Sequence, residues 1–135
     1  MRNFNLYRSR HSYIVEALDN MEDTPVCGWD EFESHAANTI KQLWYDKEST
    51  DVTLATMDEQ QINVHRIVLS SSSSFFKLIL SKNIQKNLVI YLKDIGYKEL
   101  KLVLEFMYFG ESKVRHADLG TFIATGNTLK SKRFD

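Results

Sequence analysis

Residues 51–111 read DVTLATMDEQQINVHRIVLSSSSSFFKLILSKNIQKNLVIYLKDIGYKELKLVLEFMYFGE, and the fold turns on this stretch. Val52 and Leu54 alternate with Asp51 and Thr53, Asp58-Glu59-Gln60 interrupts, and Ile62 and Val64 resume the alternation. Successive strand side chains point to opposite faces, so the pattern predicts a half-buried hairpin. Ile67, Val68 and Leu69 then lead into five consecutive serines, Ser70 to Ser74, followed by Phe75, Phe76, Leu78, Ile79 and Leu80. Serine hydroxyls cap helices and make turns, and the flanking apolar residues need burial. The run therefore predicts a serine-rich turn between two short helices rather than a linker or a phosphorylation tract. Leu88 to Leu92, rich in β-branched and aromatic types, predicts a third strand. Leu100, Val103, Leu104, Met107 and Tyr108 then form a helical stripe, with Asp94 as its expected cap and Gly110 as its stop.

Upstream, Phe32, Ala36, Ile40, Leu43 and Trp44 recur at the spacing of one helical stripe, predicting a helix from about Asp30 to Tyr45. Asp30, Glu31 and Glu33 near its start and Lys47 near its end suit the helix dipole. Phe32 and Trp44 are large for a lone surface helix. The stripe must meet the rest of the domain or a second chain, and both readings stay open. Residues 1–26 lack a sustained period; Tyr13, Ile14, Ala17 and Leu18 mark at most one or two helical turns. From Glu16 to Glu33 there are seven acids and no Lys or Arg, a composition that favours solvation over packing. Residues 1–26 are therefore expected to be a flexible arm ended by Pro25, and residues 27–135 one domain. Downstream, Lys113-Val114 suggests a brief edge strand. A last helix from His116 or Ala117 to Leu129 should bury Leu119, Phe122, Ile123 and Leu129, weakened by roughly 1 kcal/mol at Gly126. Lys130, Lys132 and Arg133 read as solvated charges.

The composition narrows the class. At 135 residues, 43% hydrophobic and 26% charged, the chain can bury one core and hardly two. A net charge of −1 argues against a phosphate-backbone binder, so no direct nucleic-acid partner is expected. The single cysteine, Cys27, builds neither an intrachain disulfide nor a cysteine zinc site. Apolar runs such as Leu88 to Ile90 fall far short of the roughly 20 residues that span a bilayer, and no apolar block follows Arg2, Arg8 and Arg10, so no membrane association is expected.

A search for chemistry is empty. The serine run lacks a nucleophile-elbow glycine pattern and a base partnered by motif. His11, His35, His65 and His116 never fall at the spacing that puts two ligands on one helix face, and no glycine-rich phosphate loop occurs. No enzyme activity, cofactor or metal is expected, and His65 should be a packed or interface histidine. Asp51 and Arg66 bracket the hairpin, which returns one end beside the other, so carboxylate and guanidinium are expected as neighbours. On the surface such a pair contributes roughly 0 to 1 kcal/mol; buried at a subunit junction, losing one partner costs about 3 to 5 kcal/mol.

On Asp51-Val52-Thr53-Leu54, Val64-His65-Arg66 with Val68-Leu69-Ser70, Ser73 to Phe76, Tyr91-Leu92-Lys93-Asp94 and Glu105-Phe106-Met107-Tyr108-Phe109-Gly110-Glu111, the chain resembles a BTB/POZ domain. Cys27 to Ser34 is similar to the tramtrack or bric-a-brac subgroup of arthropods, where a tryptophan-bearing strand precedes the first helix. Gly28 departs from that subgroup, as does Ser74, which stands for a proline. The resemblance implies an α/β (α+β) fold, a helical cluster flanked by a small mixed sheet, that dimerises through an N-terminal strand and the first helix. It also implies assemblies larger than dimers. Carried over, Trp29, Phe32, Ala36, Ile40, Leu43 and Trp44 become the expected interface, with Asp51 and Arg66 as a charged pair near its centre. The implied function is homo- or hetero-oligomerisation of a nuclear transcription or chromatin regulator. Its partners would be itself, other BTB proteins, and corepressor or architectural proteins. The alternative is a substrate adaptor for a cullin-based ubiquitin ligase. Such adaptors carry a hydrophobic residue followed two positions later by glutamate after the second hairpin helix, whereas the loop here, Ser81 to Asn87, has no acid.

Overall fold

The structure, a computed structural model, describes residues 3–9, 12–18 and 24–131, with side chains described from residue 24 onward. The chain divides into two compact units, Met1–Asn38 and Thr39–Asp135.

In the first unit, β1 (Asn3–Ser9) and β2 (Ser12–Leu18) pair antiparallel, Phe4 opposite Ala17 and Tyr7 opposite Ile14. The helical turns suggested by Tyr13, Ile14, Ala17 and Leu18 are therefore a strand. Residues 24–29 carry no regular structure, so the expected tryptophan-bearing strand is not formed in the single chain. The physical reason is that a strand needs an edge to pair with, and among the described residues none pairs with this segment. α1 (Phe32–Leu43) starts where Phe32 N–H donates to the Trp29 carbonyl at 3.0 Å and His35 N–H to the Glu31 carbonyl at 2.8 Å. Glu33 in its first turn and Lys41 in its last complement the dipole. The boundary between the units falls inside this helix.

The second unit is built on a three-stranded sheet in the order β4-β3-β5. β3 (Val52–Thr56) and β4 (Gln61–Val64) form the predicted hairpin, Val52 opposite Val64 and Leu54 opposite Ile62. β5 (Leu88–Leu92) adds parallel to β3, Val52 beside Leu88 and Leu54 beside Ile90. Because the side-chain period is two, Val52, Leu54, Ile62 and Val64 all enter the core. A parallel strand needs a long crossover, and α2 (Arg66–Ser72) and α3 (Ser74–Lys82) occupy it. α4 (Tyr97–Phe109), a 3₁₀ turn (His116–Asp118) and α5 (Leu119–Thr128) complete the unit. Leu54, Leu69, Phe76, Leu100, Leu104 and Leu129 are wholly inaccessible at its centre.

The serine run is used differently from a turn. Ser70, Ser71 and Ser72 end α2, their place in a helix eased where Ser70 Oγ donates to the Arg66 carbonyl at 2.9 Å and Ser71 Oγ to the Val68 carbonyl at 3.1 Å. The break is one residue, Ser73, in extended conformation. Its hydroxyl accepts from Phe76 N–H at 3.1 Å, capping α3, and donates to the Leu129 carbonyl, while its backbone bridges Ser131.

Three further expectations are corrected. Asp94 does not cap α4: it sits in left-handed conformation, φ 65°, while Gly96 is the N-cap and Asp58, from the β3–β4 turn, accepts from Tyr97 N–H at 3.1 Å. Lys113-Val114 forms no strand. In α5, Phe122 and Leu129 are buried as expected, but Leu119 and Ile123 are exposed, and Thr125 and Gly126 take their places. Two helical stripes share Phe122, and small residues at 125 and 126 let the helix lie close on that side. Gly110 does end α4, at φ 77°, its N–H donating to the Phe106 carbonyl at 2.9 Å.

Candidate interaction surface

α1 carries a periodic apolar stripe and yet buries none of its residues. Phe32 is 56% exposed and Ile40 41%, with Ala36 half-buried. Trp29 lies edge-on to Phe32, ring centroids 5.7 Å apart, and 4.7 Å from the His35 ring. At the other end the stripe is anchored: Leu43 and Trp44 pack against the core. The Trp44 ring meets Tyr108 edge-on at 5.1 Å and Phe109 at 5.6 Å, and Lys47 Nζ sits 5.4 Å from its centre. All six residues expected to form an interface are thus carried on α1 and its two flanks. Leu43 and Trp44 are in part core residues, whereas Phe32 and Ile40 present apolar surface to solvent.

Beneath Trp44 lies a polar network that sequence reasoning did not assemble. His65 is 4% exposed. Its backbone N–H donates to Tyr108 Oη at 2.9 Å, and its Nδ1 lies 2.7 Å from the same oxygen. Nε2 lies 2.9 Å from Ser49 Oγ and 3.1 Å from the Asp46 carbonyl, while Ser49 Oγ donates to Asp46 Oδ2 at 2.8 Å. A carbonyl only accepts, so the ring proton sits on Nε2, and Nδ1 accepts from the phenol. Burial pushes the Tyr108 phenol up to about 12, opposed by the His65 N–H that it accepts. The Ser49 hydroxyl holds the Asp46 carboxyl below its usual range. The result pins the loop after α1 to the starts of α2 and the end of α4. Ser49 and Tyr108 are 16 and 43 residues from His65, and no sequence period links them.

Asp51 and Arg66 are neighbours, but not as carboxylate and guanidinium. Asp51 Oδ1 accepts from the backbone N–H of Arg66 at 2.6 Å, placing a negative charge on the first turn of α2, where the free N–H groups and the dipole favour one. The Arg66 guanidinium points elsewhere: Nη1 donates to the Leu80 carbonyl and Nη2 to the Gln85 carbonyl, each at 3.0 Å. It therefore ties the end of α3 to the loop before β5. The reason is local: α3 ends beside the α2 start, where the Leu80 carbonyl, already accepting from the Asn83 N–H at 3.3 Å, has a second lone pair to offer.

Among the described residues no group of three or more His, Cys, Asp or Glu could hold a metal ion, and no helix is long and apolar enough to cross a membrane.

The chain thus combines a three-stranded mixed sheet, a helical hairpin in its crossover and two further helices, and comparison with known proteins says which family has this fold. The BTB/POZ domain family model matches residues 40–134, and the chain belongs to that family. It is 39% identical over 104 residues to the Drosophila melanogaster longitudinals lacking protein-like, covering 77% of this chain and 81% of that relative. It is 33% identical to Drosophila melanogaster protein tramtrack, alpha isoform, and 32% to protein abrupt, spanning only 13% and 11% of their lengths. The BTB domain of zebrafish PATZ1 superposes with a TM-score of 0.65 at 20% identity, covering 76% of this chain and 86% of that one. The α/β expectation and the resemblance to tramtrack-type BTB domains are thereby established, and domains of this family act by self-association and heteromeric association.

Proposed function

We infer that residues 27–135 are an oligomerisation domain that joins copies of this chain, or this chain with other BTB proteins, in a nuclear transcription or chromatin regulator. Residues 1–26 form an arm outside it. The observation that carries this is α1: an amphipathic helix in which Phe32 and Ile40 stay exposed while Trp44 fixes the helix end to the core. Apolar surface aligned on one rigid element is what an isologous contact between two copies requires, since the same patch must meet itself. Trp29, Phe32, Ala36, Ile40, Leu43 and Trp44 are its residues. Asp51 and Arg66 act by fixing α2 and α3 behind the contact. The likeness to tramtrack-type proteins supports the nuclear setting, and corepressor or architectural proteins are the partners proposed with it.

The test is oligomeric mass by sedimentation at micromolar concentration, for the wild type and for Ile40→Asp. Ile40 touches the core less than Trp44, whose replacement would also unfold the chain. A wild-type mass above one protomer that falls to one protomer in a folded Ile40→Asp chain is the expected result. A wild type that stays monomeric overturns the reading.

A further inference from the structure

One face of α4 and the segment that follows it enclose an open groove of about 450 Å³ in which charge is unbalanced. Lys98, Lys101, Lys113 and Arg115 line it against Glu105 and Asp118. Asp118 is fully engaged: its two oxygens hold Lys98 Nζ and Arg115 Nε, each at 3.0 Å, and the same two cations keep its carboxyl below the usual range. It fixes both cations at the groove wall and leaves Lys101 and Lys113 against the single carboxylate of Glu105. The side chains of Lys101 and Lys113 are exposed and make no hydrogen bond or ion pair among the described residues.

The groove also has a shape. Lys98, Lys101, Leu102 and Glu105 share one face of α4 at i, i+3, i+4 and i+7, a run of about 10 Å at 1.5 Å per residue. About three residues of extended chain span that length. Leu102, half-buried against the core, offers an apolar seat between the cations.

We propose that this groove docks a short extended acidic segment of a partner protein, with carboxylates beside Lys101 and Lys113 and an apolar side chain on Leu102. The two acids select against nucleic acid: Glu105 and Asp118 would face a backbone charged at every phosphate, whereas a peptide can alternate acidic with apolar residues. Glu105 and Lys113 also line a second pocket that reaches Lys41 of α1, next to Ile40, so the oligomeric mass of the chain is measured alongside binding.

Fluorescence anisotropy with the full chain tests the proposal. The probe is a fluorescein-labelled peptide of about six alternating glutamate and leucine residues, long enough to overrun the groove. Saturable binding is expected, weakened by added salt, absent for the glutamine analogue, and about tenfold weaker or more in Lys101→Glu/Lys113→Glu. Lys86→Glu, on the exposed loop before β5, should bind as the wild type does. Circular dichroism and the urea midpoint confirm that the double variant remains folded. Equal affinity in the double variant, or no binding to the wild type, overturns the proposal. So does tighter competition by an oligothymidine, which would assign the groove to nucleic acid, or a fall in the mass of the peptide-free double variant, which would assign it to a second copy.

Discussion

Removing the Tyr108 hydroxyl strands two groups at once, the backbone N–H of His65 and its Nδ1, both inside the protein. Tyr108→Phe should lower stability by about 1 to 3 kcal/mol, read from urea unfolding at neutral pH. The same phenol gives an alkaline signature. Its folded value is pushed up to about 12 from an ordinary 10.0, chiefly by burial, so the folded state keeps the proton longer than the unfolded one. That contribution is complete below pH 10 and is lost as pH rises through about 12. Stability of the wild type should fall across this window, and Tyr108→Phe should lose that part of the slope. Asp51 and Arg66 yield a different prediction. Sequence spacing placed them together, because the hairpin returns one end beside the other, but could not say which atoms meet. Since Asp51 bonds to a backbone amide that methionine at 66 retains, a double-mutant cycle of Asp51→Ala with Arg66→Met should be additive within about 0.5 kcal/mol. A coupling of several times that size would restore the ion pair.

Among the elements, α4 shows how a stop is specified. Gly110 at φ 77° lets the chain turn away with its N–H still bonded to the helix, and its Cβ position is open space, so only backbone conformation resists a side chain there. Gly110→Ala should therefore cost about 1 kcal/mol, and Gly110→Asn less, by thermal or urea unfolding. Periodicity made β3, β4, α1 and α4 readable because each shows one uninterrupted stripe, and the β-branched and aromatic run 88–92 made β5 readable. α5 was readable as a helix but not in phase, since Leu119, Phe122 and Ile123 form as good a stripe as Phe122, Thr125, Gly126 and Leu129. Only the close approach of the 125–126 side to its neighbours decides between them. The cap of α4 was unreadable for a related reason: Asp58 lies 39 residues away and reaches the helix through the tertiary fold. Ser73 was visible as a serine in a run, while its bond to the Leu129 carbonyl, across 56 residues, was not.

For the whole molecule, the family was legible because its motif residues are those that hold the core and the starts of α2 and α3. The candidate contact was legible as a stripe but not as a surface, since a stripe of this period packs inward in most helices. Association through that surface should make thermal stability depend on protein concentration, because only the folded chain associates. The midpoint should rise with concentration in the wild type and stay level in Ile40→Asp. The parallel pairing of β5 with β3 carries a consequence in time. A hairpin such as β3–β4 zips outward from its turn within microseconds, but β5 reaches its neighbour only after the entire α2–α3 hairpin has been laid down between them. As the chain leaves a ribosome, Leu54 can meet Ile62 early and must wait for Ile90, and Ser73 waits longer still for Leu129. Until then one hydrogen-bonding edge of β3 stands unpaired, which makes the interval between those two events the stage at which a nascent chain is most open to wrong pairing.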